Sequence, residues 1–338
     1  AKPKEYGAML QYFTGSKYHN IRLRDFALKK GYSLSEYGIK ELKGSKVHKV
    51  KSEKEFYNFL GLDYIPPELR EDNGEIEAAL KHRLPKLVEL KDIKGDLHSH
   101  CSYAQETSHD SGVSSISEMI SVAAGLGYEY LGISDHNPSV AKHNPNEIVK
   151  NLQARKRHFE QINYSQNNVR VINLLEVDIL PGGKLPVPDL GLQQLDGCLV
   201  SIHSSFGMSK EVMTNRVLAG LANSVTRILA HPTGRLLGSR EGYELDWSRI
   251  FNFCLEFDKA LEINCYPNRL DLPDVLVRDA VKRGVLLSLG TDSHEKSSLN
   301  LMRYGVSVAQ RGWAENKNII NTWSYDKLIK WLHKRPGS

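Results

Sequence analysis

The chain has 338 residues, 40% of them hydrophobic and 25% charged; that is enough apolar material for a large domain with a smaller neighbour. No run of about 18 apolar residues occurs and the basic start, residues 1–7, has no apolar core, so neither a bilayer-crossing helix nor a secretory leader is expected and a cytoplasmic location is expected. The net charge is +5, yet residues 1–51 alone carry twelve Lys/Arg against four Asp/Glu. The remainder is slightly acidic, and the basic segment points to a polyanion such as nucleic acid. Four cysteines are scattered with no C-x-x-C pair, which argues against a disulfide framework and for reduced thiols.

In chain order, residues 20–30 predict a helix ended by Gly31, residues 39–42 and 47–50 short strands, and residues 54–60 a helix ended by Gly61. Pro66-Pro67 breaks regular structure, and residues 75–84 predict a linking helix. Apolar strand-like runs then alternate with helical ones. Helices at 115–125, 146–162, 210–223, 247–257 and 273–283 precede strands at 130–134, 169–179, 228–231, 260–264 and 285–290, and KGDLHSH and GCLVSIHSS read as further strands. Such β/α alternation predicts a parallel sheet with helices outside it, closed as a distorted seven-stranded barrel of TIM type.

Nearly every strand ends in a histidine or carboxylate. In a closed parallel sheet the carboxyl ends converge on one face, so His98, His100, Asp110, Asp135-His136, Glu176, His203, His231, Asp292 and His294 are expected around a single cavity. His98 and His100 are two apart, which on an extended chain puts both on one side; Asp292 and His294 repeat the pattern. Any of these alone reads as a satisfied core residue or a helix cap. Together they are too costly to bury without a shared compensating charge, and they exceed what one ion uses, so two or three divalent metals are expected. Mixed imidazole and carboxylate donors suit Mn²⁺, Zn²⁺ or Fe²⁺ without choosing among them. Such a centre activates water against a phosphoester, with no side-chain nucleophile needed. Arg235, Arg240 and Arg269 follow strand ends on the same rim, where guanidinium groups can fork onto phosphate oxygens.

The blocks GDLHSH, GISDH, LLEVDIL, SIHSSF, AHPTGRLLGSREGY, EINCYPNRLDL and GTDSH resemble the PHP (polymerase and histidinol phosphatase) domain. HPTGR, R-x-GY and NRLDL resemble the version at the C-terminus of bacterial family X DNA polymerases. The stretch YFTGSKYHNIRLRDFALKKGYSLSEYGI resembles the palm end and thumb of those enzymes, and FLGLDYIPPELRE its close. The resemblance implies a small α+β thumb segment over residues 1–75, a linker over 76–92 and a PHP metallo-phosphoesterase over 93–338. It also implies the ligand set His98, His100, Asp110, His136, Glu176, His203, His231, Asp292 and His294, with catalysis through metals on His98, His100, Asp292 and His294, and Mn²⁺ as the favoured ion.

One departure concerns Ser108-His109-Asp110-Ser111-Gly112, where the family reads Ser-Asp-Gly; His109 is the substitute ligand if Asp110 turns away. Tyr12, Phe13, Gly15, Asn20 and Arg24 match thumb positions that face nucleotide and template. The Gly-Ser helix start and the palm aspartates needed for polymerisation are missing, so the chain is expected to be a C-terminal piece that does not polymerise alone. The implied activity is 3′→5′ exonuclease on DNA, at gapped or single-stranded 3′ ends. A histidinol-phosphatase type of small-molecule phosphatase and a non-catalytic module supporting a polymerase are the alternatives.

Overall fold

A computed structural model describes residues 2–103, 105–165 and 169–334. The chain divides into two compact units, Ala1–Lys86 and Leu87–Ser338.

In the first unit, helices Tyr6–Thr14 and Lys17–Lys29 are joined at Gly15-Ser16. Ser16 caps the second by accepting from His19 N, and Gly31 at φ +85° ends it. The expected helix at 20–30 therefore starts earlier, at the serine cap. An antiparallel sheet follows in the order β1 (Tyr32–Ser35), β2 (Gly38–Glu41), β3 (Val47–His48). Helix Glu53–Phe59, capped by Ser52, packs close to the first helix: a Cβ on Gly7 would stand 2.4 Å from Ser52 backbone. Leu23, Ala27, Ile39, Phe56 and Leu60 are buried. Two ionic knots lie in this core. His19 sits between Glu75 Oε1 at 2.6 Å and the Tyr57 hydroxyl at 2.9 Å, and Arg70 donates to Glu53 Oε1 at 2.6 Å and to Ile65 O.

The second unit holds parallel strands in two sheets. One contains β4 (Gly95–Asp96), β5 (Tyr130–Ile133) and β6 (Arg170–Asn173); the other contains β7 (Glu176–Asp178), β8 (Cys198–Ser201), β9 (Thr226–Leu229), β10 (Ala260–Asn264) and β11 (Leu286–Gly290) in the order β11-β10-β9-β8-β7. The expected closed seven-stranded barrel is corrected to eight parallel strands in two sheets, among the described residues. The run at 169–179 is two strands because the chain breaks at Leu174-Leu175: Arg170–Asn173 pairs with β5, while Glu176 is in register with Leu199 of β8.

Single bridges, His136 with Glu176 and Ser99 with Ser293, span the gaps between the sheets. The seam between β4 and β11 is pinned by side chains. Asn321 Oδ1 accepts from Leu289 N at 2.7 Å, and its amide donates to Gly95 O and Leu289 O; Asp96 accepts from Thr291 N at 3.1 Å and from the Thr291 hydroxyl.

Strand alternation splits the apolar side chains into two layers. Tyr130, Ile172, Leu199, Ile228 and Ala260 form an inner cluster with Leu328, Trp331 and Leu332 of helix Tyr325–His333, whereas Leu131, Val171, Val200, Leu229 and Leu261 join the larger cluster with the surrounding helices. Along β10 the inner positions read Ala260, Glu262, Asn264, all buried. The inner layer thus turns from apolar to polar toward the carboxyl ends, where the candidate residues gather.

Candidate metal centre

All nine residues of the implied ligand set come together. Glu176 is at the centre, almost fully buried: its Oε1 lies 2.8 Å from His231 Nε2 and 3.3 Å from His203 Nε2, and its Oε2 lies 3.2 Å from His98 Nε2, 3.2 Å from His136 Nδ1 and 3.5 Å from His100 Nε2. Asp292 Oδ1 lies 3.2 Å from His100 Nε2 and 3.5 Å from His98 Nε2. Asp110 reaches His136 Nε2 at 3.5 Å and His294 Nε2 at 3.3 Å, so it faces the cluster from its exposed loop. His109 is also present, with Nε2 at 3.0 Å from Asp178 Oδ1 and its ring against His203.

Asp135 does not join them. Its carboxylate accepts from Cys101 N at 2.6 Å and from buried Arg155 at 2.8 Å, which anchors the strand end from which His136 projects.

Two of the convergent residues take unusual backbone: His231 has φ +28° and Asp292 φ +53°. Non-glycine residues rarely adopt such values, and where they do the surroundings must hold them. Glu262 Oε2 accepts from His231 N at 2.6 Å, and His98 O accepts from Asp292 N at 2.8 Å.

Electrostatics follow from burial opposed by proximity. Burial alone would raise the carboxyls of Glu176 and Asp292, yet the surrounding imidazoles hold both well below the usual carboxylate range. The Asp110 carboxyl is likewise lowered by the His136 hydrogen bond. Burial pulls His100 and His231 down to about 4, keeping them neutral and able to ligate. His203 is also opposed by burial, but Glu176 and Asp178 push it up to about 9.

Several nitrogens are left without hydrogen-bond partners although buried: His100 Nδ1 and Nε2, His136 Nδ1, His231 Nδ1 and His294 Nε2. Of these, His100 Nε2 and His136 Nδ1 face the buried Glu176 carboxylate, an arrangement that is costly in a closed core and that a divalent cation satisfies. The donor atoms of His98, His100, Glu176 and Asp292 lie within 4.8 Å of one another; so do those of His136, Glu176 and His203, and of His100, His136 and His294. The residues present fit divalent metals.

An open cavity of about 560 Å³ adjoins the cluster, lined by Asp110, Leu236, Tyr266, Arg269, Asp292 and His294 among others. Of the three rim arginines, Arg269 stands in it, with Nε 3.3 Å from Asp292 Oδ2. Arg235 donates to Arg269 O and Leu270 O; Arg240 donates to Gly234 O and lies 4.0 Å over the Phe206 ring. In the first unit, Asn20 bonds Gln11 and Tyr12 O, which makes it part of the helix corner with Gly15. Arg24 lies over the Tyr12 ring at 5.2 Å, and Phe13 is 72% exposed.

Sequence reasoning missed Glu262 and Asp178, each hydrogen-bonded to a histidine of the cluster. Both carried a signal: Asp178 is two residues from Glu176, and Glu262 is a charge inside the apolar run ALEIN.

A thumb segment followed by two parallel sheets bearing a histidine and carboxylate cluster matches known proteins in two ways. Residues 9–71 match the family model of the DNA polymerase beta thumb. The chain is 37% identical over 331 residues, 98% of its length, to the DNA polymerase/3′-5′ exonuclease PolX of Bacillus subtilis (strain 168), and spans 56% of that protein. Over the aligned length it is similar to that bacterial PolX, and residues 9–71 are similar to a polymerase beta thumb. Two solved structures are similar at 15% identity. One is a Listeria monocytogenes protein assigned as a histidinol phosphatase, at TM-score 0.43, covering 61% of this chain and 97% of that one. The other is the histidinol phosphate phosphatase of Lactococcus lactis complexed with zinc, L-histidinol and phosphate, at TM-score 0.40, covering 65% and 93%.

Proposed function

We propose that the chain is a metal-dependent phosphoesterase of PHP type that removes nucleotides from 3′ ends of DNA, with residues 1–75 as its thumb, 76–92 as a linker and 93–338 as the two-sheet unit bearing the active centre. The observation that carries it is the buried Glu176 carboxylate ringed by five imidazoles, three of which, His100, His136 and His231, keep a buried nitrogen without a hydrogen-bond partner. His98, His100, Glu176 and Asp292 would hold one ion, Glu176, His203 and His231 a second, and Asp110, His136 and His294 a third. Mn²⁺ is our choice for the active ion, with Zn²⁺ and Fe²⁺ also suited to these donors. Divalent ions there supply a deprotonated water near neutral pH and neutralise charge on the phosphoryl group.

The chain's own residues do the rest. Arg269, held beside Asp292 in the cavity wall, meets a phosphate oxygen with a charged donor. Arg235 and Arg240, bonded to backbone carbonyls, shape the loop that forms that wall. In the first unit, exposed Phe13 and the Arg24-Tyr12 pair offer ring faces and charge to a single strand. The location is proposed as cytoplasmic; no described helix is long and apolar enough to cross a membrane. The polymerase activity of a longer relative needs a palm, and is not assigned to this chain.

The test is a 3′-labelled single strand with Mn²⁺, a 5′-labelled strand for polarity and a small phosphomonoester in parallel. Release of labelled mononucleotide from the 3′ end is expected. Hydrolysis of the monoester alone would make it a small-molecule phosphatase. Silence in both, with metals bound, would leave a supporting module of a polymerase.

A further inference from the structure

Two carboxylates outside the nine-residue set stand behind the histidines. Glu262, fully buried on β10, has Oε1 2.6 Å from His98 Nδ1, while its Oε2 accepts from His231 N at 2.6 Å and lies 3.4 Å from Asn264 Nδ2. Asp178, at the end of β7, has Oδ1 2.8 Å from His203 Nδ1, and both its oxygens lie near His109 Nε2, at 3.0 and 3.2 Å. Its own backbone N is fixed by Asn137 Oδ1 at 3.0 Å.

Both rings therefore have Nδ1 occupied by a carboxylate and Nε2 turned to Glu176: His98 toward Oε2 at 3.2 Å, His203 toward Oε1 at 3.3 Å. A carboxylate on Nδ1 places the ring proton there, so the Nε2 lone pair is left for a ligand, and it locks the ring plane. Glu262 is used by His98 and the His231 backbone; Asp178 shares a donor group with His109 and His203, and through it leaves His203 Nε2 turned to Glu176.

We infer that Glu262 and Asp178 are positioning residues for two separate divalent-cation positions that share Glu176. Glu262 serves the position of His98, His100 and Asp292; Asp178 serves that of His203 and His231. This rests on the metal-centre reading above, and it adds that the two positions can be emptied one at a time. Removing an orienting partner of this kind weakens metal affinity about 10–100-fold. Here the larger loss falls on one ion in each variant, because each support orients a ring that meets a different oxygen of Glu176; Glu262 also holds the His231 backbone N, so E262Q touches the second position as well.

The experiment titrates the metal-free 338-residue chain with Mn²⁺ and counts tightly bound ions from the electron paramagnetic resonance signal of free Mn²⁺, for wild type, E262Q, D178N and the double variant. Urea unfolding of each metal-free protein is recorded alongside. We expect each single variant to lose one tight ion and the double variant to lose two. Wild-type affinity in either single variant would overturn the inference, as would a double variant no worse than one single, since the two carboxylates would then serve one position. A fall in metal-free stability with every tight ion retained would assign them to structure alone and overturn it equally. A wild type that takes up no Mn²⁺ would overturn the metal-centre reading itself, which separates the two failures.

Discussion

Arg155 offers a sharp test of how the strand end beside His136 is held. It lies on the apolar stripe of helix Pro145–Ser165 with Ile148, Leu152 and Phe159, and it is fully buried. Its guanidinium donates to Asp135 Oδ2 at 2.8 Å, to Ile133 O at 3.2 Å and to Asn173 Oδ1, and lies 4.3 Å from the Phe159 ring centre. Arg155→Met keeps much of the apolar stem but leaves Asn173 Oδ1 without its donor and the buried Asp135 carboxylate without its cation, while Cys101 still donates to Asp135 and Leu174 N to Ile133 O. Breaking a buried ion pair from one side costs about 3–5 kcal/mol. For a unit of this size that corresponds to a fall of roughly 6–20 °C in Tm.

The four tryptophans, Trp247, Trp313, Trp323 and Trp331, all lie in the second unit, so tryptophan fluorescence during urea unfolding reads that unit directly. The double variant D135N/R155M removes the stranded charge and should be more stable than R155M alone, by about 1–3 kcal/mol. A loss below about 1 kcal/mol in R155M, or no recovery in the double variant, would refute the reasoning.

His100→Ala should abolish Mn²⁺-dependent hydrolysis while leaving the metal-free urea midpoint nearly unchanged, because the ring it removes has no hydrogen-bond partner; surviving hydrolysis refutes its role. Gly290→Ala should weaken Mn²⁺ binding at least tenfold or so, since its Cβ would meet Glu262 Oε1 at 2.3 Å and His98 Cβ at 2.4 Å; an unchanged titration refutes that close packing. Chelating the metal should lower Tm, the stabilisation being about 2.7 kcal/mol when the free ion stands at a hundred times its Kd. Burial raises the Asp271 carboxyl to about 6, so the folded protein keeps a proton there that the unfolded chain has lost from about pH 4 upward. Its contribution is therefore intact below about pH 4 and declines through pH 6: wild type should lose about 3 kcal/mol relative to D271N between pH 4 and 7, and a flat difference would refute the assignment.

The candidate centre was legible because each of its groups except Asp110, which sits in an exposed loop, interrupts or ends an apolar run, and burying a charge there has few explanations. The same logic covers Glu262 and Asp178, which escaped notice because an acid inside a strand reads first as a break in pattern. Arg155 was hidden in the same manner, as a cation on an apolar helix stripe. The split of residues 169–179 was not legible. Leu174 and Leu175 are as apolar as their neighbours, and hydrophobicity does not record which partner strand a backbone bonds. The helices Met302–Arg311 and Tyr325–His333 carry no functional motif and lie beyond the last strand-end signal at Asp292 and His294, although Ser324 caps the second.

The Asn321 amide has a consequence for how the chain comes off the ribosome. It joins β4, near residue 95, to β11, near residue 289, and Leu328, Trp331 and Leu332 then close the floor beneath the strands. The first unit draws all its elements from the opening 86 residues and can form while the rest is being synthesised. The second stays unlatched until residues 321–332 have been made, so the edges of β4 and β11 lack this clamp until then.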